Sequence, residues 1–498
     1  MRLRFPPSPT GHLHVGNVRT ALYNWLLARK HNGTLVVRIE DTDVARSTKE
    51  NEEKLLEDLK WLGLDWDEGP GAGGDVGPYH QSKRLKIYKE KIDQLMAAGS
   101  AYYCFCTPEE LEADRKKALA EKRAPKYSGK CRPLDPEESR QRVQSGEAAA
   151  IRFKVEDGPA IVWNDLVHGE LKFERDIIGD FVFVRSEGMP AYNFAVVVDD
   201  ALMGMTHVLR GDDHISNTPR QILLYNAMGF DLPLFGHLPM ILGPDGSRLS
   251  KRHGATSVEQ FREAGYLPSA LINFLALLGW NPGDEKEIFT EHELIEAFSL
   301  ERVNKSASIF NVEKLDWLNG QYMRSTPPEE LLAHTLPFLV ERGLVEGEPS
   351  GDNRQWYIDL VDTFNSGSSL LEIAEGSRMA FEFDAETDLA AAEAQEVLTG
   401  EDARMVVSTF HSELSNLDKD TALDADSFKA CVKAVQKSTG IKGKHLFHPV
   451  RVAVSGKASG PELAKLVPLL ESGEKLTLPK TVKGVRQRVS ETVQFLGL

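Results

Sequence analysis

Cysteine is scarce in this sequence, with four residues among 498. So few cysteines cannot form the disulfide framework of a small secreted protein. No apolar stretch reaches the roughly 18 residues that a membrane-spanning helix needs. The first residues contain two arginines followed by prolines and glycine, without the apolar core of a secretory signal. We therefore expect a cytoplasmic protein that does not associate with membranes.

Basic residues are also in deficit, since 59 Lys and Arg face 75 Asp and Glu and the formal net charge is −16. With this balance, any binding of nucleic acid requires a local basic surface. The 41% hydrophobic and 27% charged fractions exclude a disordered or fibrous chain. At roughly 100 to 200 residues per domain, the length predicts three or four domains.

Several motifs of nucleotide-dependent and metal-dependent enzymes are missing. There is no Walker A loop, and His292 in HELIE has no second histidine to complete a zinc-protease motif. Gly69, Gly71 and Gly74 have the spacing of a dinucleotide fingerprint, but a polar stretch precedes them and no helix pattern follows directly. We interpret these glycines as part of a surface loop.

Residues 1–40 have the pattern of a β–α–β unit. RLRF and TLVVRIE are predicted strands, and the apolar residues between them recur at helical spacing. Such a unit predicts a parallel sheet whose ligands bind at the carboxyl ends of the strands. The proline- and glycine-rich turn of residues 6–16 is therefore predicted to hold a ligand.

A second strand and helix pattern covers residues 181–214, which we interpret as the other half of the same α/β fold. An insertion of about 100 residues, with three of the cysteines, separates the two halves. From residue 326 onward the patterns are long amphipathic helices with few β-branched runs. The predicted fold class is α/β with a parallel sheet, followed by an all-α region.

Two loops far apart in the sequence carry residues that suit a polyphosphate. In PPSPTGHLHVGN, His14 and Gly16 stand at the entrance of the predicted first helix. Free backbone N–H groups and the positive end of the helix dipole attract phosphate there. The alternative is that His14 only caps the helix.

The second loop, GPDGSRLSKRHG at 243–254, places Arg248, Lys251 and Arg252 among glycines and small polar residues. Three closely spaced cations in a glycine-flanked loop suit closure over polyphosphate. The alternative is an ordinary solvated basic loop. The presence of both loops in one chain favours phosphate binding over the two alternatives.

HVGN and RLSKR resemble the two signature motifs of class I aminoacyl-tRNA synthetases. Longer segments are similar to bacterial glutamyl-tRNA synthetases: RFPPSPTGHLHVGN, VRIEDTD, GPYHQSKRL, AYNFAVVVDD, VLRGDDH, FNVEKLDWLNGQYMR and KGKHLFHPVRVAVSG. The similarity runs from Arg4 to about Arg451. The first motif departs from the generic pattern at Asn17, which replaces its final histidine, and the second departs from it at Arg248 and Arg252.

The resemblance implies a Rossmann-like catalytic domain at 1–84 and 186–243, with an acceptor-end and zinc-knuckle domain inserted at 85–185. A closing-loop and stem-contact region at 244–325 and a helical anticodon-binding region at 326–498 complete the implied domains. The implied activity is ATP-dependent ligation of L-glutamate to tRNA(Glu) through a glutamyl adenylate, with release of AMP and pyrophosphate. The resemblance also implies that the protein acts as a monomer.

The resemblance implies that the phosphates of ATP are bound from two sides. It assigns catalytic roles to His14 and Lys251, and it implies that Mg²⁺ accompanies ATP. Its ATP-binding positions in this sequence are His12, Gly16, Asn17, Arg248, Lys251 and Arg252.

The resemblance places five residues in a pocket for glutamate: Arg4, Ser8, Glu40, Tyr192 and Arg210. Arginines suit bidentate pairing with carboxylates, Glu40 suits the substrate ammonium group, and Tyr192 offers a hydrogen-bonding wall. Two alternatives stay open. Arg4 could be a strand residue on a solvated edge, and Asp41 or Asp43 beside Glu40 could cap the next turn.

Cys104, Cys106 and Cys131 resemble the zinc-binding insertion of some family members, which implies a structural Zn²⁺ ion. A tetrahedral site needs a fourth ligand. The resemblance offers Tyr127, since Pro133 stands where other relatives have a histidine. The alternative is three reduced cysteines in a metal-free knuckle.

Basic residues cluster at 437–451 and at 480–488, and these stretches predict a basic face for tRNA. The alternative is that they are ordinary solvated helix ends. Two other functions compete with tRNA charging. One is an adenylating or nucleotidyl-transferring enzyme of the same superfamily with a small-molecule acceptor, and the other is a catalytically silent RNA-binding relative.

Overall fold

The structure is a computed structural model, and it describes residues 1–43, 46–123, 126–418 and 423–498. These residues form two compact units, which are Met1–Phe261 with Leu271–Asn311 and Arg262–Ala270 with Val312–Leu498. Within the described ranges, no helix combines the length and the apolar character that crossing a membrane requires.

The first unit begins with two parallel strands on either side of a helix, namely β1 (Arg2–Phe5), α1 (Val15–Lys30) and β2 (Thr34–Val37). Leu3 of β1 pairs with Leu35 of β2. Arg29 and Lys30 lie in the last turn of α1, where cations interact favourably with the helix dipole. The predicted β–α–β unit is confirmed.

The part of the first unit that follows is rich in antiparallel strands. Its elements are α2 (Lys49–Trp61), α3 (Leu85–Ala97), β3 (Ala101–Cys104), α4 (Pro108–Ala120), α5 (Pro136–Gln144), β4 (Ala150–Phe153), β5 (Ile161–Asp165), β6 (Gly169–Phe173), α6 (Arg175–Ile178) and β7 (Phe181–Val184). β3, β4 and β7 form one antiparallel sheet, and β5 and β6 form a hairpin.

The chain then returns to parallel pairing. The next elements are α7 (Tyr192–Leu202), β8 (His207–Gly211), α8 (Thr218–Met228), β9 (Leu234–Leu238) and β10 (Ile241–Leu242). β8 pairs in parallel with β9, with Arg210 opposite His237. The Thr206 backbone N–H donates to the Arg2 carbonyl at 3.0 Å, which places β8 beside β1.

The interpretation of residues 181–214 as the second half of the parallel fold was partly wrong. β7 pairs with β4, antiparallel, and belongs to the inserted sheet, whereas β8 belongs to the parallel part. The apolar run FVFV predicts a buried strand, but such a run does not specify which strand it pairs with. The partner of β7 is set by long-range packing.

The end of the first unit contains α11 (Glu291–Ala297) and β11 (Ser308–Ile309), and β11 pairs in parallel with β10. The preceding helices α9 (Val258–Glu263) and α10 (Pro268–Leu277) contain residues of both units.

The second unit is helical throughout its described length. Its helices are α12 (Val312–Ser325), α13 (Pro328–Glu341), α14 (Gly351–Phe364), α15 (Leu370–Phe381), α16 (Ala385–Asp388), α17 (Ala392–Leu398), α18 (Glu401–Asn416), α19 (Ala425–Thr439), α20 (Lys444–Ser455), α21 (Leu463–Gly473) and α22 (Val485–Leu496). Trp356, Phe410 and Val450 are among its buried core residues. The predicted all-α region is confirmed, and the division of the chain into four domains stays a prediction.

Candidate active site

A cavity of about 640 Å³ lies at the carboxyl ends of β1, β8 and β9. This is the edge at which parallel α/β folds bind ligands. The lining includes nine residues that the sequence had singled out: Arg4, Ser8, His14, Gly16, Asn17, Glu40, Tyr192, Arg210 and Arg248. Three others, His12, Lys251 and Arg252, are not among the residues that line it.

Arg4 lies in the wall of the cavity with its side chain buried. Its Nε donates to the Asp200 carboxylate at 3.2 Å, and its Nη1 donates to the Leu209 carbonyl at 3.3 Å. Its Nη2 is buried and has no hydrogen-bond partner among the described residues. Arg4 is therefore not a solvated edge residue, and one of its nitrogens has no acceptor among the described residues.

Arg38 connects the acids that surround Arg4. Its Nη1 donates to Asp200 at 2.7 Å and its Nη2 donates to Glu40 at 3.0 Å, while its Nε lies 3.6 Å from Asp199. Burial opposes ionisation of Asp200, but the charges of Arg4 and Arg38 lower its pKa below the ordinary value. The result is a buried ionic network that fixes Arg4 and Glu40 relative to each other.

Glu40 is the carboxylate of the IEDTD segment that lines the cavity. Burial raises its pKa, and the Arg38 guanidinium opposes that shift. Asp41 accepts hydrogen bonds from the Ser82 backbone N–H at 2.8 Å and from its hydroxyl at 2.6 Å. Asp43 pairs with Arg46. Asp41 therefore anchors the turn at Gln81–Arg84, which is distant in the sequence and is not the next turn of the alternative, while Glu40 lines the cavity.

Arg210 is held by uncharged partners. Its Nε donates to His237 Nε2 at 3.2 Å, and its Nη2 donates to the Thr218 hydroxyl at 2.8 Å. Its Nη1 is buried without a hydrogen-bond partner in the part of the chain that the structure describes. Buried donors without a partner are rare because they lose their hydration, so this nitrogen marks a place for an acceptor from a ligand.

Tyr192 lies beside His214, which the sequence reasoning missed. The Tyr192 hydroxyl is 3.3 Å from His214 Nδ1. Burial, together with the charge of Arg210, lowers the pKa of His214 to about 4, so this ring is neutral at neutral pH. His214 comes shortly after β8, and the rule that ligands bind at the carboxyl ends of parallel strands could have identified it.

His14 is both the N-cap of α1 and part of the cavity lining. Its Nδ1 accepts a hydrogen bond from the Gly16 backbone N–H at 3.3 Å, so the proton of the neutral ring resides on Nε2. Burial, with a contribution from Arg248, lowers the pKa of His14. The capping alternative is thus compatible with a ligand contact, because capping uses one ring nitrogen and leaves the other as a donor.

The loop of residues 243–254 lies next to the first loop. The Val15 backbone N–H donates to the Thr256 carbonyl at 3.0 Å, just after this loop. Asp245 shapes the loop by accepting from the Ser247 backbone at 2.9 Å and from Arg252 at 3.2 Å. Two stretches that are more than 200 residues apart in the sequence are brought to the same side of the cavity, with Arg248 in its lining.

Lys251 and His12 lie outside the cavity. Lys251 is exposed and forms no ion pair with any residue that the structure describes, whereas His12 Nε2 lies 3.0 Å from Glu259. Their roles in ATP binding, and that of Arg252, stay predictions.

The three cysteines form a cluster in the inserted part. Their sulfur atoms lie within 4.8 Å of one another, and those of Cys106 and Cys131 are 3.7 Å apart. The Tyr127 hydroxyl lies 3.6 Å from the sulfurs of both Cys104 and Cys106. Since Zn–S bonds of about 2.3 Å put the sulfurs of a tetrahedral site about 3.8 Å apart, this donor set fits zinc.

The two basic stretches of the helical unit differ. In 480–488, Lys480 pairs with Glu382, Lys483 pairs with Glu491, and Arg488 is buried and donates to backbone carbonyls. That stretch is therefore structural in these contacts, and its place on a basic face stays a prediction.

In the other stretch, Lys437, Lys442 and Lys444 are exposed and form no ion pair within the described ranges. A surface cavity of about 520 Å³ is lined by Ala430, Lys433, Ala434, Gln436, Lys437 and Lys442. A basic surface therefore exists on α19 and the loop that follows it.

Comparison with known proteins agrees with this geometry. Residues 1–317 match the family described as "tRNA synthetases class I (E and Q), catalytic domain", and residues 330–477 match the family described as "Anticodon binding domain". Fold and cavity are thus those of a class I aminoacyl-tRNA synthetase.

Individual relatives identify the family within this class. The chain is 47% identical to a glutamate–tRNA ligase of Carboxydothermus hydrogenoformans, over 95% of this chain and 98% of the relative. It is 46% identical to the glutamate–tRNA ligase of Bacillus subtilis, over 94% of this chain and 97% of that relative. A crystal structure of a glutamate tRNA ligase from Elizabethkingia meningosepticum in complex with its amino acid has a TM-score of 0.85 and 31% identity, covering 100% of this chain and 99% of that one. The chain belongs to the glutamate–tRNA ligase family.

Proposed function

We propose that this chain ligates L-glutamate to tRNA(Glu) at the expense of ATP. The observation that carries the proposal is the pair of buried arginines, Arg4 and Arg210, each with one nitrogen without a partner among the described residues, in one cavity with Glu40. Two cationic groups and one anionic group match the two carboxylates and the ammonium group of glutamate. The family membership supports this choice of substrate.

In the first step, an oxygen of the α-carboxylate of glutamate attacks the α-phosphorus of ATP, and pyrophosphate leaves. An ionised carboxylate needs no general base, so the site has to align the reactants and stabilise charge on the phosphates. His14, at the N-terminus of α1, lies where its free ring N–H and the backbone N–H groups suit phosphate oxygens. Mg²⁺ bound to ATP supplies further neutralisation of charge.

In the second step, a hydroxyl of the terminal ribose of tRNA attacks the carbonyl carbon of the adenylate, and AMP leaves. We propose that the exposed lysines of α19 and the following loop contact the RNA backbone, because a chain of net charge −16 needs a local cationic surface for this partner. The match of residues 330–477 to an anticodon-binding family supports this assignment. An enzyme with a small-molecule acceptor would leave these residues without a role.

We propose that Cys104, Cys106, Cys131 and Tyr127 hold a structural Zn²⁺ ion. The spacing of the three sulfurs and the Tyr127 hydroxyl supports the assignment. The reaction itself requires no such ion, so its role is to hold the inserted part in shape. Metal analysis of protein purified without chelators is expected to find one zinc per chain, and a stoichiometry near zero would contradict the proposal.

Exchange of labelled pyrophosphate into ATP tests the function. Each amino acid is supplied in turn, with and without each tRNA, and exchange is expected with glutamate and no other amino acid. Exchange with a different amino acid, or none under any condition, would reject the proposal. Lys251→Ala is expected to slow exchange by about 100-fold and leave the KM for glutamate near that of the unaltered chain. An exchange rate near that of the unaltered chain would reject a role for Lys251.

A further inference from the structure

The environment of Arg210 extends beyond the cavity into a buried hydrogen-bond chain. Arg210 forms no ion pair with any described residue, and its Nε donates to Nε2 of His237, a side chain with no solvent exposure. A guanidinium group can only donate hydrogen bonds. His237 Nε2 must therefore carry a lone pair, and the proton of the neutral imidazole resides on Nδ1.

Asp165 determines that proton position. His237 Nδ1 donates to Asp165 Oδ2 at 2.5 Å. The other oxygen, Oδ1, accepts from the backbone N–H groups of Val167 at 3.0 Å, His168 at 3.1 Å and His237 at 3.2 Å. The carboxylate is thus fixed in one orientation, with Oδ2 bonded to the imidazole.

This chain links the inserted part to the cavity. Asp165 is the last residue of β5, and the Leu166 backbone N–H donates to the Phe235 carbonyl of β9 at 2.8 Å. β9 also carries His237, opposite Arg210 in the parallel pair. The end of the inserted hairpin therefore lies directly behind the strand pair that presents Arg210.

We propose that Asp165 and His237 are positioning residues for substrate recognition. Asp165 keeps the proton on His237 Nδ1, His237 accepts from Arg210 through Nε2, and the unpartnered Nη1 of Arg210 is left facing a substrate carboxylate. The inference rests on the proposed role of Arg210 in binding glutamate. Burial lowers the pKa of His237, which agrees with a neutral ring that acts as an acceptor.

Asp165→Asn is the sharpest test because it changes almost no volume. Three backbone N–H groups surround Oδ1, so the amide oxygen takes that position and the amide NH₂ takes the position of Oδ2. The NH₂ then donates to Nδ1 of His237, which moves the ring proton to Nε2. There it meets the Arg210 N–H, beside the Thr218 hydroxyl at 3.0 Å. We expect the KM for glutamate in aminoacylation of tRNA(Glu) to rise about 10-fold or more, with the KM for ATP within about twofold.

Two further variants separate the hydrogen bond from packing. In His237→Gln the amide lies near the position of Nε2 and can accept from Arg210, whereas in His237→Asn it lies near Nδ1 and cannot. We expect the glutamine variant to keep a KM for glutamate several-fold lower than that of the asparagine variant. Asp135→Asn is a matched control, since Asp135 also accepts backbone N–H groups in the inserted part but lies at the exposed start of α5. It should leave both KM values unchanged.

A double-mutant cycle with Arg210→Ala decides whether Asp165 acts through Arg210. If it does, Asp165→Asn causes no further rise in the KM for glutamate when Arg210 is absent. An equal effect in both backgrounds, or a parallel rise in the KM values of glutamate and ATP, would overturn the inference. If Arg210→Ala itself leaves the KM for glutamate unchanged, the proposed role of Arg210 fails. If Arg210→Ala raises it and Asp165→Asn does not, only the positioning role fails.

Discussion

The two arginines of the cavity are held in opposite ways. Arg4 belongs to a network in which carboxylates balance the guanidinium groups, with Asp200 in contact with both Arg4 and Arg38. Arg210 rests on His237 and the Thr218 hydroxyl, which are uncharged. The side of the cavity with balanced charges, around Arg4 and Asp200, therefore acts as a scaffold. Arg210 has no carboxylate partner among the described residues, as its proposed role in binding a glutamate carboxylate requires.

Disrupting the ionic network around Asp200 should have the largest effect on stability. Asp200→Ala leaves Arg4 and Arg38 buried without their shared partner, so we expect the free energy of unfolding to fall by about 3–5 kcal/mol. Urea denaturation measures the change. Glu382→Ala, which removes an exposed partner of Lys480, is the control and should cost about 1 kcal/mol or less. Equal losses in the two variants would show that the network is not a scaffold.

Removing Arg210, which has no carboxylate partner among the described residues, should affect substrate binding more than stability. Arg210→Ala removes a cation without leaving a buried acid unpaired, so its free energy of unfolding should change less than that of Asp200→Ala. We expect the KM for glutamate to rise about 100-fold, because hydrogen bonds to charged groups contribute about 1.5–3 kcal/mol, with the KM for ATP nearly unchanged. Steady-state kinetics with each substrate varied in turn measures both values. An equal rise in the two would show that Arg210 does not recognise glutamate.

The two sides should also respond to acid in different pH ranges. As pH falls from 6.5 to about 4, the unfolded chain protonates His214 while the folded chain keeps it neutral, so stability decreases across this range. Asp200 has a pKa below its ordinary 3.8, so its contribution is lost only as pH falls below that value. Denaturation across this pH series should show a shallower slope between 6.5 and 4 for His214→Gln. An unchanged slope would show that a group other than His214 causes the loss of stability in this pH range.

The smallest effect is expected where charges are not buried. The double variant Lys437→Ala with Lys442→Ala should raise the KM for tRNA(Glu) a few-fold. The slope of the logarithm of the binding constant against the logarithm of the salt concentration should become shallower by about one unit for each phosphate that is no longer neutralised. Lys480→Ala is the matched control, since that lysine is paired with Glu382 in the structural stretch. A reduced salt slope in the control, or an unchanged one in the double variant, would remove the assignment of this surface to RNA.

Local patterns were sufficient for much of the fold. The β1–α1–β2 unit and the helical second unit follow from hydrophobic spacing, because each element buries one face and shows that face in its sequence period. The turn of residues 6–16 was predicted as a ligand site from its place after the first strand, and it contributes several residues to the cavity lining. The partner of β7 was not predictable in this way.

Arg38, Asp199 and Asp200, which lie behind the cavity around Glu40, were missed. Arg38 directly follows the apolar run of β2, and Asp199 and Asp200 directly follow another apolar run, so charged residues next to apolar runs were a visible signal for this group. No such signal marks Asp165 and His237, which are 72 residues apart and form their bond only when β5 packs beside β9.

The order of the elements, the two phosphate-type loops and the family resemblance could all be read from the sequence, because they depend on residues that are close in the chain. Which charges are compensated became visible only in the folded protein. Arg4, Arg210 and Arg488 are all buried arginines, yet they face a carboxylate, an imidazole and backbone carbonyls respectively. The electrostatic environment of a buried group depends on what packs against it across long chain distances, and that packing is specified by the whole fold.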